Sequence, residues 1–115
     1  RFINVYKKLP KKIKKRLVVE NDHVSYGLKD CLRVSEEVGI PVVFDVFHHQ
    51  CLNNGEKIRQ AVIQAKKTWK KKDGKLMIDY SSQKQGAVKG GHTESIEIKK
   101  FKNFLKEISM YDNNF

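Results

Sequence analysis

Cysteine is scarce in this chain: Cys31 and Cys51 are its only two among 115 residues. Their spacing fits neither a C-x-x-C motif nor a disulfide framework, which excludes a disulfide-stapled scaffold and implies a reducing compartment. Long apolar runs are lacking too. None approaches the ~20 residues needed to cross a bilayer, and no signal peptide is visible. The expectation is therefore an intracellular protein, cytoplasmic or nuclear, that is not secreted and engages no membrane. Arginine is rare: Arg1, Arg16, Arg33 and Arg59 are the only four among 24 basic residues.

Acidic residues number only 13, which leaves a net charge of +11 and a pI near 9.7. That excess suggests an anionic partner, with nucleic acid first among the candidates. A Lys-, Asn- and Ile-rich coding bias with a solvated surface yields the same bulk number, so composition leaves both readings open. Hydrophobic residues at 39% and charged residues at 32% describe a globular chain rather than a disordered one. The length permits one domain with a modest core, or part of one. Because the first residue is Arg1 rather than Met, the expectation is a fragment or a processed product.

Apolar periodicity places four helices and three strands along the chain. Phe2, Tyr6, Leu9 and Ile13 recur at helical spacing, and Pro10 ends or kinks that first helix. Ser25 is expected to cap a second helix bearing Leu28, Cys31, Leu32, Ser35 and Val38, with Gly39 as its stop. A third carries Ile58, Ala61, Val62, Ala65 and Trp69 and closes on the lysines at 70–72; a fourth carries Phe101, Phe104, Leu105 and Ile108. Strands are expected at 17–20, from Ile40-Pro41 to 45, and at 75–80. The order is α-β-α-β-α-β-α, an α/β pattern that calls for parallel strands with helical crossovers. A closed (β/α)₈ barrel needs ~250 residues. The chain is therefore a small open parallel sheet or the middle of a barrel.

Each strand ends in a carboxylate: Glu20, Asp45 and Asp79. Parallel α/β folds place their chemistry at the carboxyl ends of strands. Histidines follow each acid: His23 after the first, His48 and His49 after the second, His92 after the third. Carboxylates and imidazoles on one face can hold a metal ion, whereas acids that only cap the next helix or pair with lysines are the plainer alternative. In an extended segment His48 and His49 point to opposite sides, so one of the two can ligate. Cys31 reads as a small core residue, and Cys51 falls in a loop beside the histidines.

Residues 17–22 (LVVEND), 39–49 (GIPVVFDVFHH) and 79–96 (DYSSQKQGAVKGGHTESI) together resemble the second half of the UV damage endonucleases. The resemblance covers nearly the whole chain, with the three motifs in the family's order. It implies a metal-dependent DNA repair nuclease with a TIM-barrel fold, of which residues 1–115 form a single partial domain, about half a barrel. The related alternatives are an apurinic-site endonuclease or a xylose-isomerase-like sugar isomerase of the same superfamily. From a different class, the chain could be a non-catalytic basic nucleic-acid-binding domain.

Carried over by residue, the resemblance makes Glu20 the bridging metal-ligand glutamate and Asp45 an aspartate ligand, these two being the catalytic candidates. It makes His48 and His92 histidine ligands. Asp79 stands where some members have a histidine ligand, and Phe47 where members often have another histidine. Ser81, Ser82 and Gln83 correspond to a loop signature that contacts phosphate or orients ligands. The implied reaction is hydrolysis of the phosphodiester 5′ to a UV photolesion in double-stranded DNA. The implied cofactor is divalent metal, manganese foremost, with magnesium or zinc as alternatives.

Further ligands are implied in parts of the family that lie outside this chain, so the 115 residues alone are expected to bind metal poorly and to cut nothing. Lys84 and Lys89, with Lys29, follow strand ends and are the expected DNA-backbone contacts. The basic runs at 11–16 and 70–75 precede strands and are expected on the opposite face. No obligate protein partner is evident.

Overall fold

A computed structural model gives the protein's structure and describes residues 1–110. Helices α1 (Phe2–Lys8) and α2 (Lys11–Lys14) come first, followed by β1 (Val19–Glu20), α3 (Leu28–Val38) and β2 (Val42–Asp45). Then come α4 (Val46–Cys51), α5 (Ile58–Thr68), β3 (Ile78–Asp79) and α6 (Ile98–Ser109). The strands form one parallel sheet in the order β1-β2-β3. The α/β alternation and the parallel pairing are those expected.

β2 is the centre of the molecule. Its four residues are all buried, as a β-branched and aromatic run flanked by parallel neighbours should be. Val42 and Phe44 join Leu28 and Cys31 of α3, Ala61, Val62 and Ala65 of α5, and Phe104 and Ile108 of α6 in one core. Burying a side chain such as Phe44 stabilises the fold by roughly 1.5–3 kcal/mol. The start of the strand is clasped from α5: the Thr68 hydroxyl oxygen accepts the Val42 N–H at 2.9 Å, and the Trp69 indole N–H donates to the Val42 carbonyl at 2.7 Å. Gly39 adopts φ 70°, a left-handed conformation that glycine enters without strain, and its N–H returns to the Ser35 carbonyl at 2.7 Å.

Several boundaries differ from the sequence expectation. β1 and β3 have two residues each rather than four and six, because each has a strand neighbour on one side only and Val18 and Met77 are exposed. Pro10 does break the first helix, giving α1 and α2. Ser25 does not cap α3. The helix starts at Leu28 after Gly27, and Asp22 instead organises the turn before it. The lysines at 70–72 lie past α5, whose cap is Trp69. The segment after Asp45, read as a loop containing Cys51, is helix α4.

The two basic runs meet where the strands begin. Lys11, Lys14, Lys15 and Arg16 face Lys72 across a groove floored by Val18, Pro41 and Met77. The strand-end acids lie at the other end of the sheet.

Candidate metal centre

Parallel register is what brings distant acids together. Val19 pairs with Val42 and Glu20 with Val43, while Asp45 pairs with Asp79. Three carboxylates separated by 25 and 34 positions in sequence thus share one sheet end. Glu20, Asp45 and His48 each offer a ligand atom, and those atoms all lie within 4.8 Å of one another. Burial, and then the charges of Asp79 and Asp45, push the Glu20 carboxyl above the usual carboxylate range, with His48 opposing them. Like charges held together in this way are relieved by a cation.

Asp45 does two things at once. As the N-cap of α4 it accepts the His48 N–H on Oδ1 at 2.7 Å, while Oδ2 lies 3.4 Å from the His48 ring nitrogen Nδ1. The cap starts the helix, and helical spacing then returns position 48 to the face of position 45. Capping, posed as the alternative to ligation for the strand-end acids, occupies only one of this residue's oxygens and leaves the other facing His48. The Glu20 Oε1 atom is 3.6 Å from the same Nδ1.

His49 turns into the core. It is 2% exposed, packs edge-on against Phe44 at 5.2 Å, and places Nε2 2.9 Å from the Glu56 carbonyl. Only His48 of the pair faces the acids, although a helix rather than an extended strand separates them.

Asn21 is the residue that sequence reasoning missed. Fully buried, its side-chain amide donates to the Asp45 carbonyl at 2.9 Å and its amide oxygen accepts the Asp45 N–H at 3.0 Å. Its own backbone carbonyl lies 2.9 Å from His48 Nδ1. A carbonyl can only accept, so Nδ1 is the donor in this contact, and it is the same nitrogen that faces the two carboxylates. Asn21 is visible in sequence only as a polar residue after a strand, because its partners lie 24 and 27 positions away.

The other candidates stand around this cluster. Asp79 is exposed at the end of β3 and reaches Glu20 through its charge. His92 sits with its ring 5.8 Å from that of His48 and 5.4 Å from that of Phe47, edge to face. Phe47 is buried and forms an apolar wall there. Asp79 and His92 stand outside the 4.8 Å set found among the described residues.

Ser81, Ser82, Gln83, Lys84 and Lys89 all fall in the glycine-rich loop after β3. The Gln83 side chain is a clasp within that loop: its amide donates to the Lys84 and Val88 carbonyls at 3.1 and 3.0 Å, and its oxygen accepts the Gly90 N–H at 3.0 Å. Gln83 and His92 also form an antiparallel bridge. The Ser82 hydroxyl accepts the Glu97 N–H at 3.2 Å ahead of α6, and the Ser81 hydroxyl is buried without a hydrogen-bond partner among the described residues. Lys89 reaches across to the Cys51 carbonyl at 2.6 Å, tying the loop to the end of α4. Lys84 and Lys29 are exposed. Cys31 is buried, which together with the charges of nearby acids pushes its thiol up to about 11 and leaves it inert.

The chain is similar to known proteins. A "UV DNA damage endonuclease" of Clostridium perfringens is 38% identical over 112 residues, covering 96% of this chain and 27% of its own length. A "UV-damage endonuclease" of Neurospora crassa is 35% identical over 97 residues, covering 76% of this chain and 15% of its own. A solved structure titled "Crystal Structure of SacUVDE" superposes with a TM-score of 0.88 at 46% identity, covering 92% of this chain and 36% of that one. This chain therefore spans about a third or less of the length of these relatives. The family model described as "UV-endonuclease UvdE" matches residues 1–111. A match over all but the last four residues, with a parallel sheet and an acid-histidine cluster at its carboxyl end, shows that the chain belongs to the UV-endonuclease UvdE family.

Proposed function

We propose that this chain is one part of a metal-dependent DNA repair endonuclease, which hydrolyses the phosphodiester 5′ to UV photolesions in double-stranded DNA. The observation that carries the reading is the Glu20–Asp45–His48 cluster at the carboxyl end of the sheet, in a chain of the UvdE family. Residues 1–115 contribute about half of a TIM barrel, with β1 and β3 continuing into further strands of the longer protein.

The donor set fits a divalent ion. Two carboxylates and an imidazole suit manganese first, with magnesium or zinc as alternatives. Glu20, Asp45 and His48 would hold the metal, with Asp79 and His92 contributing beside them. When bound, such ions supply Lewis acidity to the phosphodiester and to the attacking water. The chain's own residues do the positioning. Asn21 holds the Asp45 backbone and the His48 ring, Phe47 keeps one side apolar, and the loop of Ser81, Ser82, Gln83, Lys84 and Lys89 approaches the DNA backbone.

The test is incision of UV-irradiated supercoiled plasmid with manganese by the protein that carries these residues. Wild type should nick irradiated plasmid and spare unirradiated plasmid, and Glu20→Gln should lower the rate at least 1,000-fold. Equal rates for wild type and Glu20→Gln would overturn the proposal.

A further inference from the structure

His23 has no role in the reading above, yet it occupies the joint between two parts of the candidate site. Its ring lies against that of His48, centroids 5.0 Å apart and planes inclined by 33°. On its other side is Gly90, where an added Cβ would lie 2.5 Å from His23 Nε2 and closer still to Cδ2. Gly90 also has φ 94°, so it is a glycine position on two counts. The order in space is His48, His23, then the backbone of the loop that leads into His92.

The ring is presented by a rigid turn. Asp22 accepts the N–H groups of Val24, Ser25 and Tyr26 on its carboxylate at 2.7, 2.6 and 3.1 Å, and its own N–H donates to the Tyr26 carbonyl at 2.9 Å. The ring itself makes no comparable bond. Its Nδ1 is sealed from solvent with no hydrogen-bond partner among the described residues. Shape, rather than a polar contact, therefore sets where the ring sits.

We propose that His23 is a positioning residue: a flat spacer between His48 and Gly90 that seats the loop at 86–91, and so holds His92 beside His48. Its effect on metal binding rests on the metal-centre reading above, but its effect on the loop does not. Two consequences distinguish a spacer from a polar participant. A ring without nitrogens should serve, and bulk added at Gly90 should act through the same joint.

The experiment, run on the protein that carries these residues, combines nuclear Overhauser contacts between the His48 and His92 ring protons in its metal-free form with Mn²⁺ titration followed by electron paramagnetic resonance. His23→Ala should lose the ring contacts and weaken Mn²⁺ binding about tenfold, the lower end of the range for groups that orient metal ligands. His23→Phe should keep the contacts and bind within twofold of wild type. Gly90→Ala should lose the contacts as His23→Ala does, and the double variant should be no worse than either single one. Contacts that persist in His23→Ala, or a His23→Phe that behaves like His23→Ala, would overturn the proposal. If wild type binds no Mn²⁺, the metal-centre reading fails on its own, while the ring contacts still decide the role of His23.

Discussion

Asn21→Ala is expected to destabilise the chain by about 3 kcal/mol, and the number can be built from the site. The substitution removes both partners that Asn21 gives to Asp45, a donor to its carbonyl and an acceptor for its N–H, at a position with no solvent exposure. An orphaned buried backbone group costs roughly 1–3 kcal/mol, so two at about 1.5 each give ~3 kcal/mol before any void is counted. A domain of this length holds roughly 6–17 kcal/mol in all. The variant should therefore fold but melt early. With an unfolding entropy of ~2.1 cal/mol/K per residue, 3 kcal/mol corresponds to about 12 °C in Tm. The assay is urea unfolding followed by circular dichroism and tryptophan fluorescence, with exposed Asn54→Ala as a control expected within about 0.5 kcal/mol of wild type. Freed from its anchor, the Asp45–His48 pair should also bind Mn²⁺ about 10–100-fold more weakly. A change in stability below 1 kcal/mol would refute the claim that Asn21 joins β1 to β2.

Glu20 supplies a pH test. Its carboxyl is held above the usual range, so the folded chain keeps that proton to higher pH than the unfolded one. Metal-free stability should thus fall as pH rises from the ordinary carboxylate range through the raised one, and Glu20→Gln should flatten that slope in thermal melts taken between pH 4 and 7. Since a proton competes with the ion, Mn²⁺ affinity should rise across the same interval. Phe44→Ala, at the buried centre of β2, should cost about 3–5 kcal/mol by urea unfolding. In the DNA-binding protein, Lys84→Ala with Lys89→Ala should reduce affinity and flatten its salt dependence more than neutralising Lys70, Lys71 and Lys72, as read by filter binding from 50 to 200 mM salt. Equal effects would refute the assignment of DNA to the acidic end of the sheet.

What the sequence disclosed depended on how local the cause was. β2 was legible because a run of β-branched and aromatic residues between Pro41 and an acid has one reasonable conformation, and the core faces of α3, α5 and α6 were legible from their spacing. β1 and β3 were overread. Leu17 and Val18 resemble strand residues, but the ladder ends before reaching them, and Met77 contributes only its carbonyl, which accepts the Phe44 N–H at 3.2 Å. α4 was missed since six residues, two of them histidine, carry too little periodicity to compete with a loop reading. The acids of the candidate centre could be named individually, whereas their convergence and the role of Asn21 follow from strand register, which no short window contains.

The double use of Asp45 bears on the kinetics of loading. Its carboxylate and the His48 ring are ordered when the chain folds, one oxygen committed to the helix cap and one imidazole nitrogen to Asn21. The entropy of arranging those ligands is thus lost during folding and not a second time at capture. An ion would meet carboxylates already ordered for it, while the His48 Nδ1 atom that faces them would have to give up its contact with the Asn21 carbonyl, so release of that contact should set the rate of loading.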